Sequence, residues 1–114
     1  MNNHAAFVML GIVMLRFSNC DEARKAFVKT VELADGMLEL CSQNYYALEG
    51  KGLALAGLIL CGDEYLKPVA INIYKQMRKR SMSAGRLRRS LSLLASLPDP
   101  YNDLNEVRQV ASGQ

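Results

Sequence analysis

Residues 7–27, FVMLGIVMLRFSNCDEARKAF, decide the fold of this chain. Six of these residues carry the pattern: Phe7, Leu10, Gly11, Met14, Ala23 and Phe27. A small residue among large ones on a first helix, followed by Ala-x-x-x-Phe on a second, is typical of two helices packed as a tight antiparallel hairpin. Gly11 lets the helices approach closely, Ala23 is the small residue at their crossing, and Phe27 fills the space beyond it.

The remainder of the chain also predicts helices, because no segment sustains an alternation of polar and apolar residues. Asn44 is a good N-cap, Gly62 a good C-terminal stop, and Asn102 or Asp103 a candidate cap for a short last helix. We expect a bend or a packing contact at Gly36, which interrupts the second helix. The prediction is one all-α domain over 1–114 with five to six helices: hairpin 1 at about 3–41, hairpin 2 at about 44–80, and C-terminal helices at about 84–112.

A second, looser copy of the hairpin pattern follows the first. It is carried by five residues: Leu48, Gly52, Leu55, Ala70 and Tyr74. Over residues 4–80 the two copies together resemble the tetratricopeptide repeat, a family of stacked helical hairpins that forms right-handed arrays. The second copy departs from the pattern in its long interval between Gly52 and Ala70, and both copies lack the terminal proline. The alternative is an unrelated helical bundle.

The resemblance implies a protein-binding surface. In the family, the first helices of successive repeats line a concave groove, and the matching positions here are Val8, Ile12 and Leu15. Because all three are apolar, the first helix is apolar nearly all round, and such helices are buried. We therefore predict that these residues contact another copy of the chain or a preceding repeat of a longer protein.

A strip of small residues on the third helix has two interpretations. Its members recur at intervals of three or four: Ala47, Gly50, Ala54, Gly57 and Cys61. The first interpretation is packing against a neighbouring helix of the same chain, and the second is the floor of a groove for a ligand helix or a dimer partner.

The net charge of +3 arises from one local block, since residues 75–90 carry seven basic groups and no acidic one. The candidate anion or acidic-partner patch consists of Arg78, Lys79, Arg80, Arg86, Arg88 and Arg89. Three interpretations are open: a face that is solvated or paired within the chain, a site for an acidic protein segment, or a site for nucleic acid. The block has no interleaved aromatic residues, which disfavours nucleic acid.

Catalysis and metal binding find little support in the composition. His4 is the only histidine, and Cys20, Cys41 and Cys61 are dispersed without a Cys-x-x-Cys pair, so we expect no enzyme, no metal site, no cofactor and no disulfide framework. The apolar run at residues 5–15 is too short to span a bilayer and lacks the flanks of a signal peptide. These features favour the cytoplasm and no membrane partner.

The sequence therefore predicts a protein–protein interaction or scaffold module that self-associates and forms part of a larger intracellular regulatory protein. Its partner is expected to be a second copy, as a homodimer, or neighbouring repeats of a longer chain. The alternative is a small basic helical nucleic-acid-binding protein. A third, weaker hypothesis is a small-molecule sensor with an apolar cavity along the strip of small residues.

Overall fold

The structure is a computed structural model that describes residues 3–114, so Met1 and Asn2 of the predicted domain lie outside the described residues. The regular structure of residues 3–114 is helical and includes no strand, which confirms the predicted all-α class, while the right-handed array of stacked hairpins stays a prediction. Its elements are α1 (His4–Arg16), α2 (Cys20–Leu40), α3 (Tyr45–Leu60), a 3-10 turn (Glu64–Leu66), α4 (Lys67–Arg80), α5 (Ala84–Ala95) and α6 (Asn105–Ala111).

Polar side chains at the helix starts fix where the elements begin. Asn19 accepts a hydrogen bond from the Glu22 amide at 3.2 Å, and Asn44 accepts one from the Ala47 amide at 3.1 Å. Each satisfies an amide that has no partner inside its own helix. After α3, Gly62 takes a φ of +112°, a left-handed conformation that favours glycine and ends the helix. The predicted cap at Asn44 and stop at Gly62 are both confirmed.

The third helix is the one around which the others pack. α1 and α2 form a hairpin, and both also pack against α3. α4 contacts α3 and α6, while α5 contacts α6 and α3. As a result, twelve of the sixteen residues of α3 are buried.

Phe27 lies at the centre of the contact among α1, α2 and α3. Its side chain is fully buried and rests between two glycines. A β-carbon at Gly11 would lie 2.5 Å from Phe27 Cε1, and one at Gly57 would lie 2.4 Å from Phe27 Cζ. Since real β-carbons do not approach other atoms so closely, the absent side chains of α1 and α3 make the space that the ring occupies.

The residues of the hairpin pattern differ in burial. Eight of the eleven are buried: Gly11, Ala23, Phe27, Leu48, Gly52, Leu55, Ala70 and Tyr74. Phe7 and Met14 are half-buried. Leu10 departs from the expectation, because 46% of it is exposed. In the second hairpin a β-carbon at Gly52 would lie 2.9 Å from Tyr74 Cε2, so glycine again allows an aromatic ring to pack against a helix backbone.

The start of α6 corrects one prediction. Neither Asn102 nor Asp103 caps this helix. Instead Asp99 accepts hydrogen bonds from the amides of Asp103, at 2.8 Å, and Leu104, at 3.0 Å. Its carboxylate also forms an ion pair with Arg108 at 2.9 Å, so one buried aspartate between two prolines holds the helix start and its last turn together.

The structure contradicts the expected bend or packing contact at Gly36. The helix α2 is continuous through this residue, and a β-carbon there would meet nothing within 4 Å.

We expect Gly36→Ala to raise the free energy of unfolding by about 1 kcal/mol, since alanine restricts the unfolded chain and favours the helix. Urea unfolding followed by circular dichroism measures this. Gly62→Ala, at a positive φ, is the control and should destabilise the protein. An unchanged or lower stability of Gly36→Ala would contradict the open surface at this position.

Candidate functional site

The first helix is rotated relative to the sequence prediction. Val8, Ile12 and Leu15 were expected to face a partner, but they are only 4%, 2% and 7% exposed and belong to the core of the chain itself. The prediction was wrong because α2 and α3 of the same chain pack against this side of α1. Gly11 packs against Phe27, and Val8, Ile12 and Leu15 lie on the same buried side of α1 as Gly11.

The opposite side of α1 is exposed and equally apolar. Four large side chains define what we call the outer stripe: Met9, Leu10, Val13 and Phe17, which are 48%, 46%, 42% and 78% exposed. Met9, Val13 and Phe17 follow one another at intervals of four residues, so they stand one above the other along the helix. The apolar surface that α1 leaves exposed is therefore this stripe.

The outer stripe carries no charge. Arg16 is the only lysine, arginine, aspartate or glutamate of α1, and its Nε donates to the Ser96 carbonyl oxygen at 3.0 Å. That hydrogen bond ties the end of α1 to the end of α5. The apolar side chains are thus presented on a helix that is fastened to the body of the protein at its last turn.

A second feature is a recess between α1, α3 and α5 whose walls are mainly apolar and also include His4, Tyr46, Glu49 and Arg89. Glu49 is 6% exposed, and its Oε1 accepts from Arg89 Nε at 2.9 Å. The other carboxylate oxygen, Oε2, is buried without a hydrogen-bond partner among residues 3–114. The hydrogen bond with Glu49 raises the pKa of Arg89 and so favours its charged form.

His4 closes the recess from the side of α1. Its Nε2 donates to the Tyr46 carbonyl oxygen at 3.2 Å, and its ring meets the Tyr46 ring edge-on with centroids 4.9 Å apart. Gly50 makes room for it, because a β-carbon there would lie 2.2 Å from His4 Cδ2. His4 is therefore a buried packing residue that pairs two helices.

The recess suits the tip of a side chain better than a free ligand. Its cavity measures about 120 Å³, whereas small-molecule sites usually measure about 300–1,000 Å³. Its walls include Ala5, Val8, Leu53 and Leu93, and none of the residues that line it is a serine, threonine or cysteine. Sequence reasoning missed this recess, although Glu49, the one acidic residue of the largely apolar α3, is the signal that points to it.

The fold buries one residue of the basic patch and leaves the others exposed. Arg78, expected on the surface, is 8% exposed. Its Nη2 donates to the Tyr45 hydroxyl and to Ser90 Oγ, so it joins α3, α4 and α5. Its Nε and Nη1 are buried without a partner in the described chain. Arg78 is consequently a structural residue, and including it in an exposed patch was wrong.

Three more basic residues are engaged within the chain. Arg80 donates to Gln43, Arg86 stacks over the Tyr45 ring at 4.2 Å, and Arg89 pairs with Glu49. Lys79 and Arg88 are exposed. Among these contacts only that of Arg89 with Glu49 pairs a basic residue with a carboxylate, so Arg80 and Arg86 keep their charge at the surface together with Lys79 and Arg88.

Four of the five small residues of the strip on α3 lie in the interior. Ala47 and Ala54 are fully buried, and Gly50 and Gly57 contact His4 and Phe27. Cys61 follows the end of α3 and is half-buried. Packing within the chain therefore accounts for the four buried members of the strip.

Two further properties concern residues 3–114. No group of three or more His, Cys, Asp or Glu side chains is placed there to hold a metal ion. None of the helices within this range combines the length and the apolar character that crossing a membrane requires.

Comparison with protein-family models, with curated proteins and with solved structures finds no match for this chain. The assignment of a function therefore depends on the chain's own surfaces. The outer stripe is the strongest of them, because it is the one large apolar surface on a helix that the described chain leaves open.

Proposed function

We propose that this chain is a protein-binding module, and not an enzyme, that self-associates through the outer stripe of α1. One observation carries the proposal: Met9, Leu10, Val13 and Phe17 lie exposed together on one helix face. Contiguous apolar surface of this kind on a soluble protein marks a contact site for another protein. The stacked hairpins support a scaffold of the tetratricopeptide type, inside the cell and within a larger regulatory protein.

The chemistry of the stripe favours a second copy of the chain as the partner. A two-fold contact places identical surfaces against each other, so a charged stripe would repel itself and a neutral one does not. An antiparallel pair of α1 helices centred on Val13 would set Met9 against the partner subunit's Phe17. Each of these residues is four positions from Val13, or about 6 Å along the helix.

The size of the stripe sets the expected affinity. Stable complexes bury about 800 Å² on each partner, and four partly exposed side chains supply less than that. We therefore expect a reversible dimer with a dissociation constant on the order of 100 μM. The nucleic-acid alternative has less support, because Arg78 is buried and Arg89 is paired with Glu49, which leaves fewer of the six basic residues to contact a phosphate backbone.

Val13→Glu tests the proposal. It places two like charges opposite each other at the centre of the dimer and should weaken association by about tenfold or more. Sedimentation equilibrium over a range of protein concentrations measures the dissociation constant. Val69→Glu on α4 is the matched control, because Val69 is also 42% exposed but lies away from α1. It should leave the dimer intact.

A mixing experiment identifies the two-fold contact. Val13→Glu and Val13→Lys should each be monomeric alone, and an equimolar mixture should form a heterodimer because opposite charges then meet. A wild-type chain that stays monomeric at millimolar concentration, or a Val13→Glu variant that dimerises as the wild type does, would refute self-association through the stripe.

A further inference from the structure

The start of α2 and the end of α3 bring two cysteines together. Cys20 is the first residue of α2, and Cys61 directly follows α3. Cys61 Sγ lies 3.9 Å from the Cys20 carbonyl oxygen, although 41 positions separate the two residues in sequence. The start of α2 and the residue after α3 are therefore neighbours in the fold. Both side chains are partly accessible to solvent, so a small oxidant can reach them.

The surrounding contacts hold this corner in place. Arg24, one turn after Cys20, donates from Nη2 to the Cys61 carbonyl oxygen at 2.7 Å. Its Nε forms an ion pair with Asp63 Oδ2 at 3.3 Å, and the hydrogen bond to this carboxylate raises the pKa of Arg24. The backbone at Cys61 is thus fixed against α2 by a residue that stays charged.

We infer that Cys20 and Cys61 are an oxidisable pair that forms an intrachain disulfide when a thiol oxidant such as oxidised glutathione is present. Cys41 takes no part in it. This residue follows the other end of α2, which has 21 residues and is therefore about 30 Å long. The inference is independent of the proposed self-association, since neither cysteine belongs to the outer stripe.

The reaction is a pair of thiol–disulfide exchanges. The Cys20 thiolate attacks one sulfur of oxidised glutathione and releases a glutathione thiolate, which leaves a mixed disulfide on Cys20. The Cys61 thiol then loses its proton to solvent, and its thiolate attacks Cys20 Sγ and releases the second glutathione thiolate. Two protein thiols are oxidised by two electrons, and one oxidised glutathione becomes two reduced molecules.

The surroundings of Cys61 make it the second thiol to react. Burial, and after it the neighbouring Cys20, raises the pKa of the Cys61 thiol to about 12. Since the thiolate is the reacting form, Cys61 reacts slowly with oxidants in solution and mainly with the sulfur held beside it. The pair therefore stays reduced until an oxidant has modified Cys20.

The experiment uses the full chain with Cys41→Ser, which removes the exposed thiol that would form links between molecules. The folded protein is incubated with oxidised glutathione, alkylated, digested and analysed by mass spectrometry. We expect a peptide pair joined through Cys20 and Cys61. The midpoint of thermal unfolding should rise by about 10 °C, because the bond closes a loop of about 40 residues in the unfolded chain, and dithiothreitol should reverse the rise.

Cys41→Ser/Cys61→Ala is the matched control. It should stop at the glutathione adduct of Cys20 and show no rise in the unfolding midpoint. The inference is overturned if the folded Cys41→Ser protein keeps two free thiols, or only glutathione adducts, after prolonged oxidation. A disulfide that forms but lowers the unfolding midpoint would equally overturn it, because the native fold would then not accommodate the bond.

Discussion

Phe27→Ala should lower the free energy of unfolding by about 3–5 kcal/mol. The ring is fully buried and touches the backbones of α1 and α3 at Gly11 and Gly57. The facing residues are glycines without side chains to move inward, so the cavity cannot close by a change of rotamer. Urea unfolding followed by circular dichroism measures the loss, and Val28→Ala, next in sequence but 41% exposed, should cost under about 1 kcal/mol.

The contact between Phe27 and Gly57 predicts that the effect of Gly57→Ala on stability changes sign when Phe27 is also replaced. In the wild type, Gly57→Ala should cost about 1–3 kcal/mol, because the ring of Phe27, held on its other side by Gly11, cannot move away from the new methyl group. In the Phe27→Ala background the clash is gone, and the better helix propensity of alanine should make Gly57→Ala stabilising by about 1 kcal/mol. A stabilising effect in both backgrounds would show that Phe27 is not confined between the two helices.

Asp99→Ala should lower the free energy of unfolding by about 2–4 kcal/mol. Only 1% of the Asp99 side chain is exposed, and it accepts two backbone amides and pairs with Arg108. Its removal leaves the start of α6 without acceptors and Arg108 without its partner. Asp103→Ala is the control: the exposed side chain does not cap the helix, so its loss should cost under about 0.5 kcal/mol.

The lowered pKa of Asp99 in the folded protein predicts how stability depends on pH. Burial opposes its ionisation, but the amides of Leu104 and Asp103, together with Arg108, outweigh burial and hold the pKa of Asp99 below its usual range. The unfolded aspartate, with a pKa of about 3.9, then binds a proton before the native one does. The contribution of Asp99 is therefore complete above about pH 5 and is lost as the pH falls through the native pKa.

Asp99→Asn tests this dependence, since asparagine has about the same size and does not titrate. Between about pH 5 and pH 2 the free energy of unfolding should fall less steeply in the variant than in the wild type. Equal slopes for the two proteins would assign the acid sensitivity to other carboxylates.

The helices were predictable because local residues determine where they begin and end. The caps at Asn19 and Asn44 and the stop at Gly62 act within four residues of themselves. The cap of α6 was not predictable in the same way, because Asp99 lies six residues before the first residue of the helix and reaches it through a turn.

The exposed face of α1 could not be predicted from the sequence, for a different reason. A helix with a polar side reveals its orientation through the position of that side, but α1 is apolar on every side. Its rotation is set by its packing on α2 and α3, which leaves Val8 and Ile12 buried and Met9 and Val13 exposed. Likewise, Glu49 and Arg89 are 40 positions apart in sequence, so neither identifies the other as its partner.

The central position of α3 has a consequence for how this protein opens. A helix with twelve buried residues among sixteen cannot leave its neighbours without exposing the core that all of them share. Its amide hydrogens are consequently released to solvent only when the whole domain unfolds, whereas a short peripheral helix such as α6 can open alone. We therefore expect the hydrogen exchange of α3 to report the unfolding of the whole domain and that of α6 to report a smaller local opening.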